Sequence, residues 1–371
     1  MGDQLLEIIA AGTASWDIIN YAQSESAGDE KPRVDTLDQA GGVGYNAIFA
    51  AAFMARLYDQ EANLTLITHM GAEHPKHNRY QDFVLEEIDN PVDMDPLHIN
   101  VLDARSDDPT VSTPRIVVNV DADGNRQASI PDRDLTRSYK RGLHGEAEPK
   151  ALTLSQRVRD EIEKLSVNSD VAILSSRLPE ESMPIALNAS HTVLDLNSEV
   201  KAFIESPLLN DIIQNSDDIL VPAETKLPGM IDADPDELIA RLRNEYGQSN
   251  IAISDGTNPV RLIENGEELE AFSLPDIPGE CVDSLGCGDT RTGAFSFARA
   301  QGSSFSEAVM FGSTISSISS RFPGRSWSYD ENREAFLKLV QDALNDVLPD
   351  SHLTQNLREQ LKSPTVSQFD L

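Results

Sequence analysis

The segment VDSLGCGDTRTGAFSFARA, Val282–Ala300, carries two glycines and an aspartate where an alanine- and phenylalanine-rich helical pattern begins. Small residues at a helix N-terminus let backbone N–H groups converge on an anion, and the helix dipole favours negative charge there. Asp289 would lie in the first turn, where a carboxylate repels a bound phosphate but can take a proton from an attacking hydroxyl. Gly286, Cys287 and Gly288 would then stabilise the charge of a transferring phosphoryl group.

The same segment also suits an ordinary helix start, in which Asp289 only interacts with the helix dipole. A second glycine-rich segment lies far upstream, GGVGYN, followed by the alanine-rich run AIFAAAFMARL. Gly41 and Gly42 would allow a polyol to approach the backbone closely, and the amide of Asn46 can donate to and accept from hydroxyls. This segment is not a dinucleotide fingerprint, because it does not directly follow a strand and lacks the third glycine. Taken alone, it fits a tight turn at a helix start equally well.

Together the two segments resemble the signatures of the ribokinase (PfkB) family of sugar kinases. Asp283 to Asp289, continued by Thr292-Gly293-Ala294-Phe295, is similar to the family pattern Asp-Thr-x-Gly-Ala-Gly-Asp. The upstream segment is similar to the sugar-binding pattern Gly-Gly-x-x-x-Asn, and Asp17 matches an early aspartate that binds substrate hydroxyls. The resemblance covers roughly residues 5–340. It implies a kinase with Asp289 as base, with ATP and Mg²⁺ as cofactors, and with a monovalent-cation site near Asp283 that suggests activation by K⁺.

The chain departs from the family pattern at four places. Ala223 and Lys226 stand where the family has the Asn-x-x-Glu that organises Mg²⁺, which leaves Glu224 as the nearby carboxylate. The nucleotide-side glycine motif is reduced to Ser254-Asp255-Gly256-Thr257-Asn258-Pro259, Cys287 replaces alanine, and Arg291 replaces an apolar or aromatic residue. One hypothesis is that Lys226 and Arg291 are fixed cations near the phosphates. The alternative is that both are solvated surface residues.

The elements that would position these residues follow from the hydrophobic pattern. An apolar run at Leu5–Ile19 predicts a buried strand that ends near Gly12, and from about residue 151 helical and strand patterns alternate. Such alternation predicts parallel βαβ units and an open sheet with helices on both faces, in an α/β ribokinase-like fold. Alternating residues around Asp123-Gly124 predict a hairpin. We expect one kinase domain over residues 1–350, a small β-sheet lid from about 17–40 and 110–130, and a peripheral tail over 351–371.

Composition narrows the classes of protein further. The chain of 371 residues has 62 acidic and 30 basic residues, a formal charge of −32, which disfavours binding to nucleic acid or anionic membranes. The acids are dispersed and lysines number only nine, which suggests a halophilic protein kept in solution at high salt. No apolar run is long enough to span a membrane. The N-terminal segment reads as a first strand, not a signal peptide. Two cysteines are too few for a disulfide framework, so we expect a cytoplasmic protein.

The sequence therefore favours a carbohydrate or nucleoside kinase that transfers the γ-phosphoryl group of ATP to a hydroxyl. Its partner would be a small sugar or nucleoside, and a homodimer through the lid is a further expectation from the resemblance. The alternative is a sugar- or nucleotide-binding regulatory protein of the same fold, favoured by the degraded Mg²⁺ and nucleotide motifs. A dehydrogenase is disfavoured because the glycine fingerprint is absent.

Overall fold

A computed structural model describes most of the chain. The described residues are 5–22, 34–69, 78–89, 99–104, 115–120, 126–129, 154–176, 178–196, 207–225, 234–246, 248–256, 258–269 and 271–362. All structural statements below refer to these residues. The turn at Asp123-Gly124 and Lys226 lie outside them.

Thirteen strands in the described residues form two sheets. The strands are β1 (Leu6–Ala11), β2 (Ser15–Ala22), β3 (Val34–Gly41), β4 (Ala62–Thr68), β5 (Ile99–Asp103), β6 (Arg115–Val120), β7 (Arg126–Ser129), β8 (Val171–Ser175), β9 (Thr192–Asp195), β10 (Asp218–Pro222), β11 (Asn250–Ser254), β12 (Arg261–Glu264) and β13 (Glu267–Glu268). The large sheet has the order β13-β12-β11-β10-β9-β8-β1-β4-β5. It is parallel from β11 to β5, and β12 and β13 add an antiparallel edge.

Helices cover both faces of the large sheet, as the alternating pattern predicts. The helices are α1 (Val43–Leu57), α2 (Asn78–Asp89), α3 (Gln156–Asn168), α4 (Pro179–Asn188), α5 (Pro207–Gln214), α6 (Pro235–Tyr246), α7 (Cys287–Ala300), α8 (Phe305–Ser319), α9 (Asp330–Val347) and α10 (His352–Lys362). Side chains of a strand alternate between the faces, so Ile8 and Ala10 join one core while Ile9 and Ala11 join the other. The first core packs against α1, α7, α8, α9 and α10, and the second packs against α3 to α6.

The second, smaller sheet has the order β3-β2-β6-β7 and is formed by the segments predicted as the lid. We refer to these four strands as the lid. The apolar run over Leu5–Ile19 forms a buried strand that ends before Gly12, as predicted, and its second half belongs to β2 of the lid. Asp17 lies within β2 and is therefore part of the lid. The break between β1 and β2 follows from the close approach of Gly12 to α1, since a Cβ on Gly12 would overlap the backbone of Gly44.

The C-terminal segment differs from the expectation of a peripheral tail. Residues 352–362 form α10, and Leu353 and Leu357 of this helix are buried in the first core. Packing therefore continues past residue 350, because apolar side chains three to four residues apart give α10 a buried face. No helix among the described residues is both long enough and apolar enough to span a membrane.

Candidate functional site

Strand ends and helix starts meet at one edge of the large sheet, where an open parallel sheet binds its ligands. The turn before α1 is built against the end of β1. Gly42 is the N-cap of α1 with φ 92°, a conformation that glycine tolerates, and a Cβ there would overlap the carbonyl of Thr13. The same carbonyl accepts the N–H groups of Gly44 (3.1 Å) and Tyr45 (3.2 Å). These contacts fix where α1 begins and therefore where Asn46 lies.

A close helix pair brings Asn46 to Asp289. Gly293 of α7 has no side chain, which lets α7 approach so near to α1 that a Cβ on Gly293 would overlap the carbonyl oxygen of Ala47. At this crossing the Nδ2 of Asn46 donates to the Oδ2 of Asp289 over 3.0 Å. The predicted acceptor-binding amide and the predicted base, 243 residues apart in sequence, are thus in direct contact.

The start of α7 has the features of an anion site. Gly286 is the N-cap in the left-handed region with φ 72°, and Asp289 lies in the first turn. The N–H of Thr290 returns to the carbonyl of Gly286 at 2.8 Å, and the N–H of Cys287 donates to the carbonyl of Ser284 over a long 3.4 Å. Among the described residues, no heavy atom lies within 4 Å of the position that a Cβ on Gly288 would take. Open space therefore adjoins the first turn of α7, where backbone N–H groups point out of the helix end.

Cys287 contributes its backbone and not its thiol to this turn. The Sγ lies 3.7 Å from the carbonyl oxygen of Asp283 and 3.7 Å from the Oγ of Ser319. Its own carbonyl accepts the hydroxyl of Ser316 at 2.7 Å. The side chain is therefore directed toward α8, which explains why a residue slightly larger than alanine fits this position.

Asp17 lies on β2, beside the end of β3 where Gly41 is followed by Gly42. It is 6% exposed, its Oδ1 accepts the hydroxyl of Ser15 at 2.6 Å, and its carboxylate covers Gly41 so closely that a Cβ there would overlap it. Ser15 pairs with Gly41 and Asp17 with Gln39 in the lid, so these side chains share one face. The predicted acceptor-binding residues Asp17, Gly41, Gly42 and Asn46 are thus held on adjoining elements.

A buried ion pair between Glu87 and Arg325 supports the strand that leads to Gly41 and Gly42. Glu87, on α2, also accepts the N–H of Ala40, the residue before Gly41. The Arg325 guanidinium lies 4.7 Å and 4.5 Å from the ring centroids of Tyr45 and Phe49. Burial raises the pKa of Tyr45, while the positive charge of Arg325 opposes that rise. Sequence reasoning missed this pair because its members are far apart in the chain.

Arg291 is buried, so its interpretation as a solvated surface residue is wrong. It is 5% exposed, and burial lowers its pKa, opposed by the negative charges of Asp195, Glu224 and Asp289. Its Nε has no hydrogen-bond partner among the described residues. The neighbouring Thr292 donates its hydroxyl to Asp195 at 2.7 Å. Asp195 was missed in the sequence, although an acid at the end of a buried strand was the available signal.

Two of the residues predicted for the nucleotide, Ser254 and Gly256, lie at the end of β11, and Glu224, predicted for Mg²⁺, follows β10. Glu224 is exposed, and Ala223 donates its N–H to the carbonyl of Ser254 at 2.7 Å. Gly256 has φ 54°, and within the described part of the chain no heavy atom lies within 4 Å of its Cβ position. The structure brings Ser254, Gly256 and Glu224 to one edge of the sheet. Asp283 lies apart from them, before the start of α7 and in contact with Tyr21 of the lid.

Comparison with known proteins places the chain in a family. The model of the pfkB family carbohydrate kinases matches residues 139–328, just over half of the chain. Solved structures with the same fold include ribokinase from Thermotoga maritima (19% identity, TM-score 0.57, covering 90% of this chain and 100% of that one). They also include Arabidopsis thaliana ribokinase complexed with ribose and ATP (17%, 0.59, 91% and 99%) and adenosine kinase from Sinorhizobium meliloti (13%, 0.60, 90% and 100%). No curated protein matches the chain. The chain belongs to the pfkB family of carbohydrate kinases.

Proposed function

We propose that the protein transfers the γ-phosphoryl group of ATP to a hydroxyl of a sugar or nucleoside, with Asp289 as the general base. The observation that carries the proposal is the contact between Asn46 and Asp289 beside the open helix start at Gly288. An acceptor hydroxyl held there would be within reach of a base and of an anion site at the same time. Proximity of these groups and stabilisation of phosphoryl charge are the two effects on which such a transfer depends.

Each group of residues has a distinct part in this proposal. Asp17, Gly41, Gly42 and Asn46 would bind and orient the acceptor, and the lid would exclude water. The backbone N–H groups of Gly286, Cys287 and Gly288 would hold the phosphoryl oxygens, and Asp289 would take the proton of the attacking hydroxyl.

The donor side of the proposal concerns the nucleotide and Mg²⁺. Ser254 and Gly256 would line the nucleotide, and Arg291 would add positive charge behind Asp289. A role for Lys226 stays a prediction from the sequence. Mg²⁺ takes one or two protein carboxylates together with phosphate oxygens and water, and the exposed carboxylate of Glu224 fits that requirement. When bound with the nucleotide, Mg²⁺ would supply positive charge to the phosphates.

The decisive experiment compares Asp289→Asn with the wild type. Purified protein in high KCl with Mg-ATP is assayed for ADP release against pentoses, hexoses, keto-sugar acids and nucleosides, and binding is followed by thermal stability. We expect turnover with one acceptor class, a loss of about 10²–10⁴-fold in Asp289→Asn, and retained stabilisation by the acceptor. Asp342→Asn, an exposed acid on α9, is the matched control and should behave as the wild type.

Two results would contradict the proposal. Full turnover in Asp289→Asn would remove this residue as the base. Stabilisation by an acceptor without turnover in the wild type would instead favour a binding protein of the same fold. A cytoplasmic location and pairing of lids between two copies stay predictions.

A further inference from the structure

The carboxylate of Asp283, predicted to lie near a monovalent cation, is occupied by donors of the protein. Its Oδ1 accepts the N–H of Leu285 at 2.7 Å. Its Oδ2 accepts the hydroxyl of Tyr21 at 2.5 Å and the N–H of Gly324 at 3.0 Å. The N–H of Leu285 belongs to residues 284–288 at the start of α7, which we call the anion-site turn. The other two donors come from lid strand β2 and from the turn after α8.

This arrangement does not suit a cation ligand. An ionised carboxylate binds a cation through its lone pairs, of which there are about four, and here two N–H groups and one O–H group already use three of them. Asp283 is 4% exposed, so the space around it is filled by these neighbours. The K⁺ site expected at Asp283 therefore does not fit its surroundings.

The same carboxylate joins the lid to the anion-site turn. Leu285, which immediately precedes the N-cap Gly286, packs in an apolar cluster with lid residues. That cluster comprises Ile19, Val118, Tyr21, Leu37, Ile116 and Leu285. The turn at Gly324 also touches the lid, since a Cβ on Gly324 would lie 2.5 Å from the Cδ2 of Leu37. Asp283 thus lies where the lid meets the loop that shapes the helix start.

Tyr21 remains a donor over the ordinary pH range. Its burial and the adjacent negative charge of Asp283 raise the pKa of the hydroxyl far above its ordinary value. The hydroxyl is therefore protonated wherever the protein works, and its hydrogen bond to an ionised carboxylate is of the charge-assisted, stronger kind.

We infer that Tyr21 is a positioning residue that couples the lid to the anion-site turn, and that Asp283 is the shared acceptor of this link and not a cation ligand. The role in phosphoryl transfer rests on the proposed function, whereas the coupling itself does not. With the lid in place, Tyr21 and Leu285 hold Asp283 and therefore the entry into α7. Loss of the hydroxyl should loosen both segments together.

The test is hydrogen exchange followed by mass spectrometry on the ligand-free full chain, comparing the wild type with Tyr21→Phe. We expect exchange to become about tenfold faster or more both in β2 and in residues 283–290, as for loss of a hydrogen bond to a charged group. Tyr246→Phe is the matched control, because the Tyr246 hydroxyl donates to Asn210 at 2.7 Å on the opposite face of the sheet. It should leave both segments unchanged. Faster exchange confined to β2, or unchanged exchange, would overturn the inference.

A double-mutant cycle with Asp283→Asn tests the shared acceptor. If Tyr21 acts through Asp283, adding Tyr21→Phe to Asp283→Asn should not change the exchange rates of residues 283–290 any further. If the two substitutions instead act independently, their effects on these rates would multiply, and that result would contradict the inference. Thermal stability in KCl against choline chloride at equal chloride tests the cation. We expect the difference between these salts to be the same in the wild type and in Asp283→Asn. Stabilisation specific to K⁺ that disappears in Asp283→Asn would overturn the assignment of Asp283.

Turnover then links the coupling to function. We expect Tyr21→Phe to lower kcat with the acceptor KM changed less, and to raise ATP hydrolysis without acceptor relative to transfer, because water enters a loosened site. An unchanged kcat and an unchanged ratio of hydrolysis to transfer, alongside altered exchange, would overturn the role in transfer. If no acceptor supports turnover in the wild type, the proposed function fails while the exchange result still decides the coupling.

Discussion

The two sides of the candidate site are built in different ways. On the acceptor side, Gly41 lies against the Asp17 carboxylate, and Gly293 lies against the Ala47 carbonyl so closely that neither position has room for a Cβ. On the donor side, no heavy atom of the described residues lies within 4 Å of the Cβ positions of Gly288 and Gly256. The first side is defined by packing within the chain, and the second by space that the chain leaves open.

This difference indicates how the two ligands, the acceptor and the nucleotide, would be bound. The acceptor would meet groups that the protein holds fixed in advance, and the nucleotide would enter open space. An acceptor recognised by a few directed hydroxyl groups needs polar partners fixed in advance, and the support of Ala40 by Glu87 provides such fixation. On the proposed function, a nucleotide would bring its phosphates and Mg²⁺ to the open side, near the N–H groups at the start of α7 and the carboxylate of Glu224. We therefore expect substitutions on the acceptor side to disturb the structure itself, and substitutions on the donor side to act mainly on ligand binding.

The largest expected effect comes from Asn46→Asp. It would place a second carboxylate where Asn46 now donates to Asp289 over 3.0 Å, and two like charges at that distance cannot both stay ionised. We expect turnover at neutral pH to fall about a hundredfold or more, as for loss of a general base. Asn46→Ala removes the contact without adding charge and should cost less. Equal losses in the two variants would show that the added carboxylate does not disturb Asp289 and would contradict this prediction.

A pair of substitutions on one helix separates the two sides directly. Gly293→Ala would force α1 and α7 apart, and we expect a loss of about 1–3 kcal/mol in the free energy of unfolding by urea in KCl. Gly288→Ala has room for its methyl group and favours the helix, so the free energy of unfolding should stay within about 1 kcal/mol of the wild type or rise. The same methyl group would occupy the proposed phosphoryl space and weaken turnover. Equal destabilisation by both changes would contradict the comparison.

The sequence predicted those parts of the fold that are determined by local hydrophobic periodicity. Alternating helices and strands after residue 151 predicted the parallel sheet, but α4 was missed because Pro184 interrupts its pattern. The end of the first strand near Gly12 was also predicted, but the parallel pairing of β2 with β6 was not, because local periodicity does not show which strand is the neighbour.

The sequence predicted less of the candidate site, because many of its contacts join segments that are far apart in the chain. The motifs predicted Asp289 and Asn46 as site residues, and the structure brings the two into contact, but no pattern in the sequence predicts that Tyr21 would donate to Asp283 across 262 residues. Nor did residue type reveal that Arg291 is buried, because arginine is exposed at most positions. Spacing indicates chemistry along one segment, whereas pairing between segments is decided by packing.

The smallest expected effect separates backbone strain from close packing. Gly256 has φ 54°, which an alanine adopts at a cost of about 1–2 kcal/mol, whereas Gly42, with φ 92° and ψ 150°, lies in a region that essentially only glycine occupies. Only at Gly42 would the new Cβ also overlap a neighbour, the carbonyl of Thr13. We expect Gly256→Ala to lower the free energy of unfolding by the strain alone and Gly42→Ala to lower it by clearly more, both measured by urea unfolding in KCl. Equal losses would mean that the acceptor side yields as readily as the donor side, and its dense packing would then not be what positions the acceptor.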